Sequence, residues 1–163
     1  MIEHSKLPNL VQPKIVVKKS LRKLELLDGT AMVRVYDVGL GRSPIGDKEI
    51  EGDGKTPEGD FYIFGKNPKS KYSLGLGISY PNTEDARRGL GTSLIEKTEF
   101  DAIMAAIENF SMPPQKTRLG GEIYIHGGGS HDDWTQGCIA MSDGNMRELY
   151  DAVDVSTPVV ILP

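Results

Sequence analysis

Apolar residues fall in short bursts along the chain, and their spacing separates strands from helices. Ile15 to Leu27 and Ala31 to Val38 are rich in Val, Ile and Leu and are separated by Asp28-Gly29-Thr30. Asp-Gly between apolar runs marks a tight hairpin, because glycine reaches the positive φ such a turn demands. The chain is therefore expected to begin as a β-meander. Met32, Val33, Val35, Tyr36 and Val38 mix alternation with doublets, which suits a strand only partly open to water. Leu74, Leu76 and Ile78 alternate with Ser73, Gly75, Gly77 and Ser79, leaving one face apolar and the other almost bare. Such a strand either admits a ligand or a second backbone, or lies packed beneath a neighbouring segment. Pro158 to Leu162 closes the chain as a short buried strand.

Helical spacing occurs in two places. Phe100, Ile103, Met104, Ile107 and Phe110 follow a capping-box-like start at Thr98 and Asp101, and Met112-Pro113-Pro114 ends that run. Met146, Leu149, Tyr150 and Val153 repeat behind a Ser142 cap. The pattern predicts a mainly β domain with two short to medium helices. Residues 1–14 are polar and proline-punctuated and read as an extended arm; residues 15–163 read as one domain without internal repeats or linkers. Gly39 to Gly59 is dense in glycine, proline and charge, either a connector to the Phe61 strand or a functional loop.

The composition of 163 residues, 38% hydrophobic and 26% charged, fits one globular domain. With 19 glycines and 10 prolines it is rich in turns, which reinforces the β assignment. A net charge of −4 without a block of like charge shows no footprint for nucleic acid. No apolar run approaches the roughly 18 residues of a membrane span, and the first thirty residues show no hydrophobic leader. Phosphate-binding glycine loops are absent, which disfavours a nucleotide enzyme. Cys138 is the sole cysteine, so an internal disulfide and a C-x-x-C site are both impossible.

The stretch Glu122 to Met141, EIYIHGGGSHDDWTQGCIAM, carries the chemistry. Its apolar strand ends at His126 and opens into three glycines; Gly137 and Cys138 follow. A thiol attacks as the thiolate and needs a neighbour to take its proton, most often an imidazole. Cys138 is accordingly a candidate nucleophile and His126 its candidate base. Gly137 permits a sharp turn that would aim the Gly137 and Cys138 N–H groups at a developing oxyanion. Gly127 would leave its carbonyl uncovered to accept from the His126 Nδ1–H, freeing Nε2 to face sulfur. The competing readings are plain ones: Cys138 as a small buried hydrophobe, His126 as a structural histidine, His131 as a solvated loop residue, and Trp134 as a packing anchor rather than a substrate wall. A metal held by Cys138, His126, His131, Asp132 and Asp133 matches no standard ligand spacing. Neither a metal nor a cofactor is expected.

In these pieces the sequence resembles the catalytic domain of the L,D-transpeptidases, the YkuD-type domain. The resemblance rests on Gly52-Asp53-Gly54-Lys55-Thr56-Pro57-Glu58-Gly59, Ser79-Tyr80-Pro81-Asn82, Ile125-His126-Gly127, Asp132/Asp133-Trp134-Thr135 and Gly137-Cys138-Ile139-Ala140, in that order, over about Ala31 to Leu162. It is similar to the branch with Asp-Trp-Thr before the Gly-Cys. The family implies a β-sandwich or partly open barrel with the cysteine in a cleft. It also implies a peptidoglycan stem peptide as substrate, a periplasmic or cell-envelope location, Cys138 as nucleophile and His126 as base. Tyr80, Asn82, Trp134 and His131 become candidate substrate contacts.

Two departures stand out. Gln136 replaces the signature's histidine; glutamine exchanges hydrogen bonds but carries no proton at neutral pH, so it can orient the loop or help an oxyanion. Ala140 stands where many relatives have arginine, leaving Arg87, Arg88 or Lys55 as candidates for binding a substrate carboxylate. The expectation is thiol acyl transfer through a thioester. Hydrolysis of a peptidoglycan peptide or peptidoglycan–protein link is the first alternative, and a wall-binding module with an inert thiol the second.

Overall fold

The computed structural model describes residues 6–163, so residues 1–5 of the expected arm lie outside the described residues. Strand β1 (Pro13–Lys18) begins inside that arm, and Leu7 and Leu10 pack against the core. After β1 come β2 (Lys23–Asp28), β3 (Ala31–Asp37), β4 (Gly59–Ser70) and β5 (Ser73–Ile78), then helices α1 (Thr83–Gly91) and α2 (Lys97–Glu108). The chain ends with β6 (Tyr124–His126), β7 (Ile139–Ala140), α3 (Asp143–Ala152) and β8 (Pro158–Leu162).

The eight strands form one sheet in the order β3-β2-β1-β8-β4-β5-β6-β7. The expected meander is present: β1–β2 and β2–β3 are antiparallel, the second joined at Asp28 and Ala31 around Gly29 (φ 61°). The Ile15 to Leu27 run is broken at Lys19–Leu21 by a turn of 3-10 helix closed by Arg22 in the left-handed region, φ 52°. Beyond β3, Gly39 exchanges both backbone hydrogen bonds with Ala140, at 2.9 Å each. That bridge joins the two outer ends of the strand order, so the sheet curls into a near-barrel and hides polar edge groups there.

Alternation decides the core. Ile15 and Val17 of β1, Leu24 and Leu26 of β2, Leu76 and Ile78 of β5 and Ile161 of β8 point inward with 0–1% exposure. Each such side chain contributes about 1.5–3 kcal/mol on burial. Met146 and Leu149 of α3 join them, and α2 with α1 forms a second cluster around Ile103, Ala86, Ile95 and Leu119. The bare face of β5 is a packing device: a Cβ on Gly77 would lie 2.4 Å from the Phe64 ring, and one on Gly75 3.4 Å from Tyr124.

Three α-helices occur where two were expected. The additional one, α1, buries a face of small and polar residues, Asp85, Ala86 and Gly89; Asn82 and Asp85 start it with a reciprocal capping box. The α2 start differs too, since Glu96 and Glu99 form the box in place of Thr98 and Asp101. No helix among the described residues is long and apolar enough to cross a membrane.

Candidate active site

The turn that presents Cys138 is anchored from below. Asp133 Oδ1 accepts the Leu40 N–H at 3.0 Å and both its oxygens receive Arg22. Burial works to raise this carboxyl, but the guanidinium and the amide hold it below the usual range. Thr135 pairs with the Leu40–Arg42 backbone, and its hydroxyl donates to the Cys138 carbonyl at 2.7 Å while accepting the Gly137 N–H at 3.1 Å. Gly137 sits at φ 138°, where a Cβ would lie 2.8 Å from the Lys55 carbonyl oxygen.

The long Gly39–Gly59 loop forms the wall behind this turn. Asp53 accepts from the Lys48 ammonium and from the amides of Glu49, Ile50 and Lys55. Lys19, buried in the barrel wall, donates to the carbonyls of Gly46 and Thr56 and to Glu58. The loop is thereby a rigid support. Its contact with the site is glycine on glycine: a Cβ on Gly41 would lie 2.2 Å from the Gly54 oxygen and 3.0 Å from Gly137 Cα. Both neighbours are backbone and cannot rotate away. Gly41→Ala is expected to cost about 1–3 kcal/mol and to lower turnover by displacing the Cys138 turn; urea midpoints and rates measured on one preparation check both effects.

Strands β6 and β7 bring the two candidate catalytic residues to one side of the sheet. They pair in parallel, Ile125 with Ile139 and His126 with Ala140. Ile125 and Ile139 enter the core; His126, Ala140 and, two residues back, Cys138 belong to the opposite face. Cys138 is half-buried. Its Sγ accepts the Tyr124 N–H at 3.4 Å and donates to the Glu122 carbonyl at 3.4 Å. Burial pushes the thiol's pKa up, against a smaller pull downward from the Tyr124 N–H.

His126 is 5% exposed. Its Nδ1 lies 2.6 Å from the Gly127 carbonyl oxygen, the contact suggested by the sequence. A carbonyl only accepts, so Nδ1 carries the hydrogen and Nε2 of the neutral ring keeps its lone pair. Burial lowers the imidazole's pKa, partly offset by that hydrogen bond. Both shifts favour the uncharged form, thiol and neutral imidazole, at neutral pH.

The Gly127 amide donates to the Tyr72 carbonyl at 3.2 Å, and the Gly128 amide to Asp143 Oδ1 at 2.9 Å. Above the histidine lies a ring cluster: Tyr72 stacks on it at 4.6 Å and 22°, and Trp134 meets it edge-on at 5.6 Å. Tyr72, in the β4–β5 turn, has no signature in the sequence; only pairing of those strands places it here.

Other expected contacts lie elsewhere. Tyr80 is fully buried with its hydroxyl bound to the Leu119 carbonyl at 2.6 Å, which removes it from a substrate surface. Asn82 caps α1 and donates to the Asp60 carbonyl; it lines a cavity of about 390 Å³ with Tyr62, Glu84 and Ile107, a set without Cys138 or His126. Arg88 is tied to Asp85 and the Glu49 carbonyl, and Arg87 is exposed on α1. The Lys55 carbonyl oxygen lies close against Gly137, while its ammonium runs toward Gly46. His131 is exposed, its Nε2 3.6 Å from Asp132. Gln136 is exposed beside the turn, and Trp134 donates to the Gly129 carbonyl at 3.0 Å. The Gly137 N–H, expected to face an oxyanion, is taken by Thr135, leaving the Cys138 N–H, which meets no acceptor among the described residues. Among the described residues no three His, Cys, Asp or Glu side chains converge as metal ligands.

The curled sheet, with Cys138 in a turn and His126 at the end of β6, is matched by one protein family. The L,D-transpeptidase catalytic-domain (YkuD) family matches residues 12–161, and the chain belongs to that family. Among solved structures it is similar to the helical cell shape determining protein Pgp2 of Campylobacter jejuni, at 25% identity and TM-score 0.61 over 96% of this chain and 49% of that one. Bd1075 of Bdellovibrio bacteriovorus matches at 20% identity and TM-score 0.59, over 96% and 52%. An L,D-transpeptidase from Mycobacterium smegmatis matches at 13% and 0.57, over 93% and 59%. The chain thus spans about half the length of these relatives. No curated protein matches it.

Proposed function

We propose that this protein is a cysteine-dependent acyltransferase acting on peptidoglycan stem peptides, with Cys138 as nucleophile and His126 as general base. The observation that carries the reading is that paired strands β6 and β7 put on one face a half-buried, hydrogen-bonded thiol and an imidazole whose Nδ1 is engaged while its Nε2 meets no partner among the described residues. Because burial disfavours both the thiolate and the imidazolium, charge develops only as the sulfur attacks.

In the first half-reaction the thiol proton passes to His126 Nε2, and Sγ bonds to the carbonyl carbon of the diamino acid at position three. The Cys138 N–H faces the developing oxyanion, a kind of donor worth about 3 kcal/mol where one has been removed. The tetrahedral intermediate collapses by breaking the C–N bond, and the imidazolium returns its proton to the departing D-alanine amine. In the second half-reaction an acceptor amine attacks the thioester, the C–S bond breaks and the proton restores the thiol. Gln136, exposed at the turn, has the chemistry to orient the acceptor and none to carry its proton. Such a substrate places the protein in the periplasm or cell envelope.

Incubation with a purified tetrapeptide muropeptide tests the reading. Cross-linked dimer, or exchange of the terminal D-alanine for an added D-amino acid, is the expected product. Shortened peptide alone would move the assignment to hydrolysis, with water in place of the amine, and unchanged substrate would overturn it.

A further inference from the structure

Catalysis by His126 requires that a ring buried to 5% exposure briefly become an imidazolium. Where a Cys–His pair has an acid or amide behind the ring, that group supports the charge; here the ring's Nδ1 partner is a neutral carbonyl. The charged and titratable groups nearby are otherwise engaged. Asp143, at the start of α3, binds the Gly128 amide. His131 and Asp132 pair on the exposed loop, the Lys71 ammonium lies 5.4 Å from the Tyr72 ring, and Cys138 is the proton donor itself.

What does cover the imidazole is aromatic. The Tyr72 ring lies nearly parallel to it at 4.6 Å, Trp134 stands at 65° to it at 5.6 Å, and the two aromatics pack edge to face at 5.1 Å. The arrangement is fixed at several points. Tyr72 accepts from the Gly127 amide, in the residue whose carbonyl holds Nδ1, and the Trp134 Nε1–H is bound to Gly129. Gly128 lets the rings close, since a Cβ there would lie 3.1 Å from Trp134 and 3.4 Å from Tyr72.

We propose that Tyr72 is a positioning residue, backed by Trp134, whose ring face fixes the His126 plane and stabilises the imidazolium formed when it takes the Cys138 proton. The inference rests on the acyl-transfer reading of this site. A π face attracts a cation through its quadrupole, and the need is transient, so a neutral support suits a pair that rests uncharged. The hydroxyl has no part in this, whereas the ring does.

Tyr72→Phe and Tyr72→Leu separate the two contributions, with the titration of His126 followed by NMR and kcat/KM measured against pH. Tyr72→Phe is expected to match the wild type in both. Tyr72→Leu is expected to move the His126 midpoint and the acid limb of the rate profile down by about half a pH unit or more and to lower kcat/KM about threefold to thirtyfold. A His126 midpoint that stays or rises in Tyr72→Leu, as readmitted water alone would cause, overturns the proposal. Equal losses in both variants also overturn it. The titration needs no substrate, so a wild-type enzyme inert toward muropeptides would sink the acyl-transfer reading while a lowered midpoint still supported the stack.

Discussion

Cys138→Ser is expected to lower acyl transfer by at least about 10³, or roughly 4 kcal/mol of transition-state stabilisation, without unfolding the protein. The hydroxyl can take over the sulfur's hydrogen bonds to the Tyr124 N–H and the Glu122 carbonyl. The fold around it is held by backbone pairing and by Thr135, neither of which changes. Only nucleophilicity differs: a serine needs a far stronger pull on its proton than a neutral imidazole without a carboxylate partner supplies. Turnover of a tetrapeptide muropeptide and a thermal melt, taken together, read the two halves of this expectation. Turnover within tenfold of the wild type would remove Cys138 from the chemistry.

His126→Ala is expected to cost at least about 10², and its pH dependence is the more telling result. In the wild type the base must be neutral, and burial lowers its pKa, so activity should persist below the ordinary imidazole midpoint of about 6.5 before it falls. Without the ring the thiol must ionise unaided, and burial has raised its pKa; the residual rate should therefore climb steadily into the alkaline range. Near-normal turnover at neutral pH would assign the base elsewhere, and exposed His131, paired with Asp132, would be the next imidazole to test.

What the sequence disclosed, and what it did not, follows from how local each feature is. The Asp28-Gly29 turn and the alternation of Leu74, Leu76 and Ile78 are local signals, and the corresponding hairpin and strand appear in place. Cys138 and His126 were legible as candidates because chemistry restricts residue type and because their flanking glycines are scarce signals outside turns. Helix α1 was hidden because its inner face is made of small and polar residues: it depends on one capping box, on Ala86 in the cluster with Ile103, and on Gly89 close against Ile95 and Leu119. The capping role of Asn82 was hidden for the same reason. Lys19 breaks the rule that lysine stays in water, since its three acceptors arrive from a loop far along the chain. Tyr72 and Tyr80 illustrate one limit from opposite sides. An aromatic's place at a site or in a core is set by which strands pair, and nothing beside it in the sequence records that.

Acyl transfer requires that the Cys138 sulfur be reachable and open to acylation. Intact-mass and peptide-level mass spectrometry after exposure to a carbapenem, a strained acyl donor attacked by thiols of this family, measures that property directly. One stoichiometric adduct is expected, mapped to Cys138 and absent from Cys138→Ser. A folded protein, verified by its melt, that stays unmodified at Cys138 would rule out an acylable thiol there.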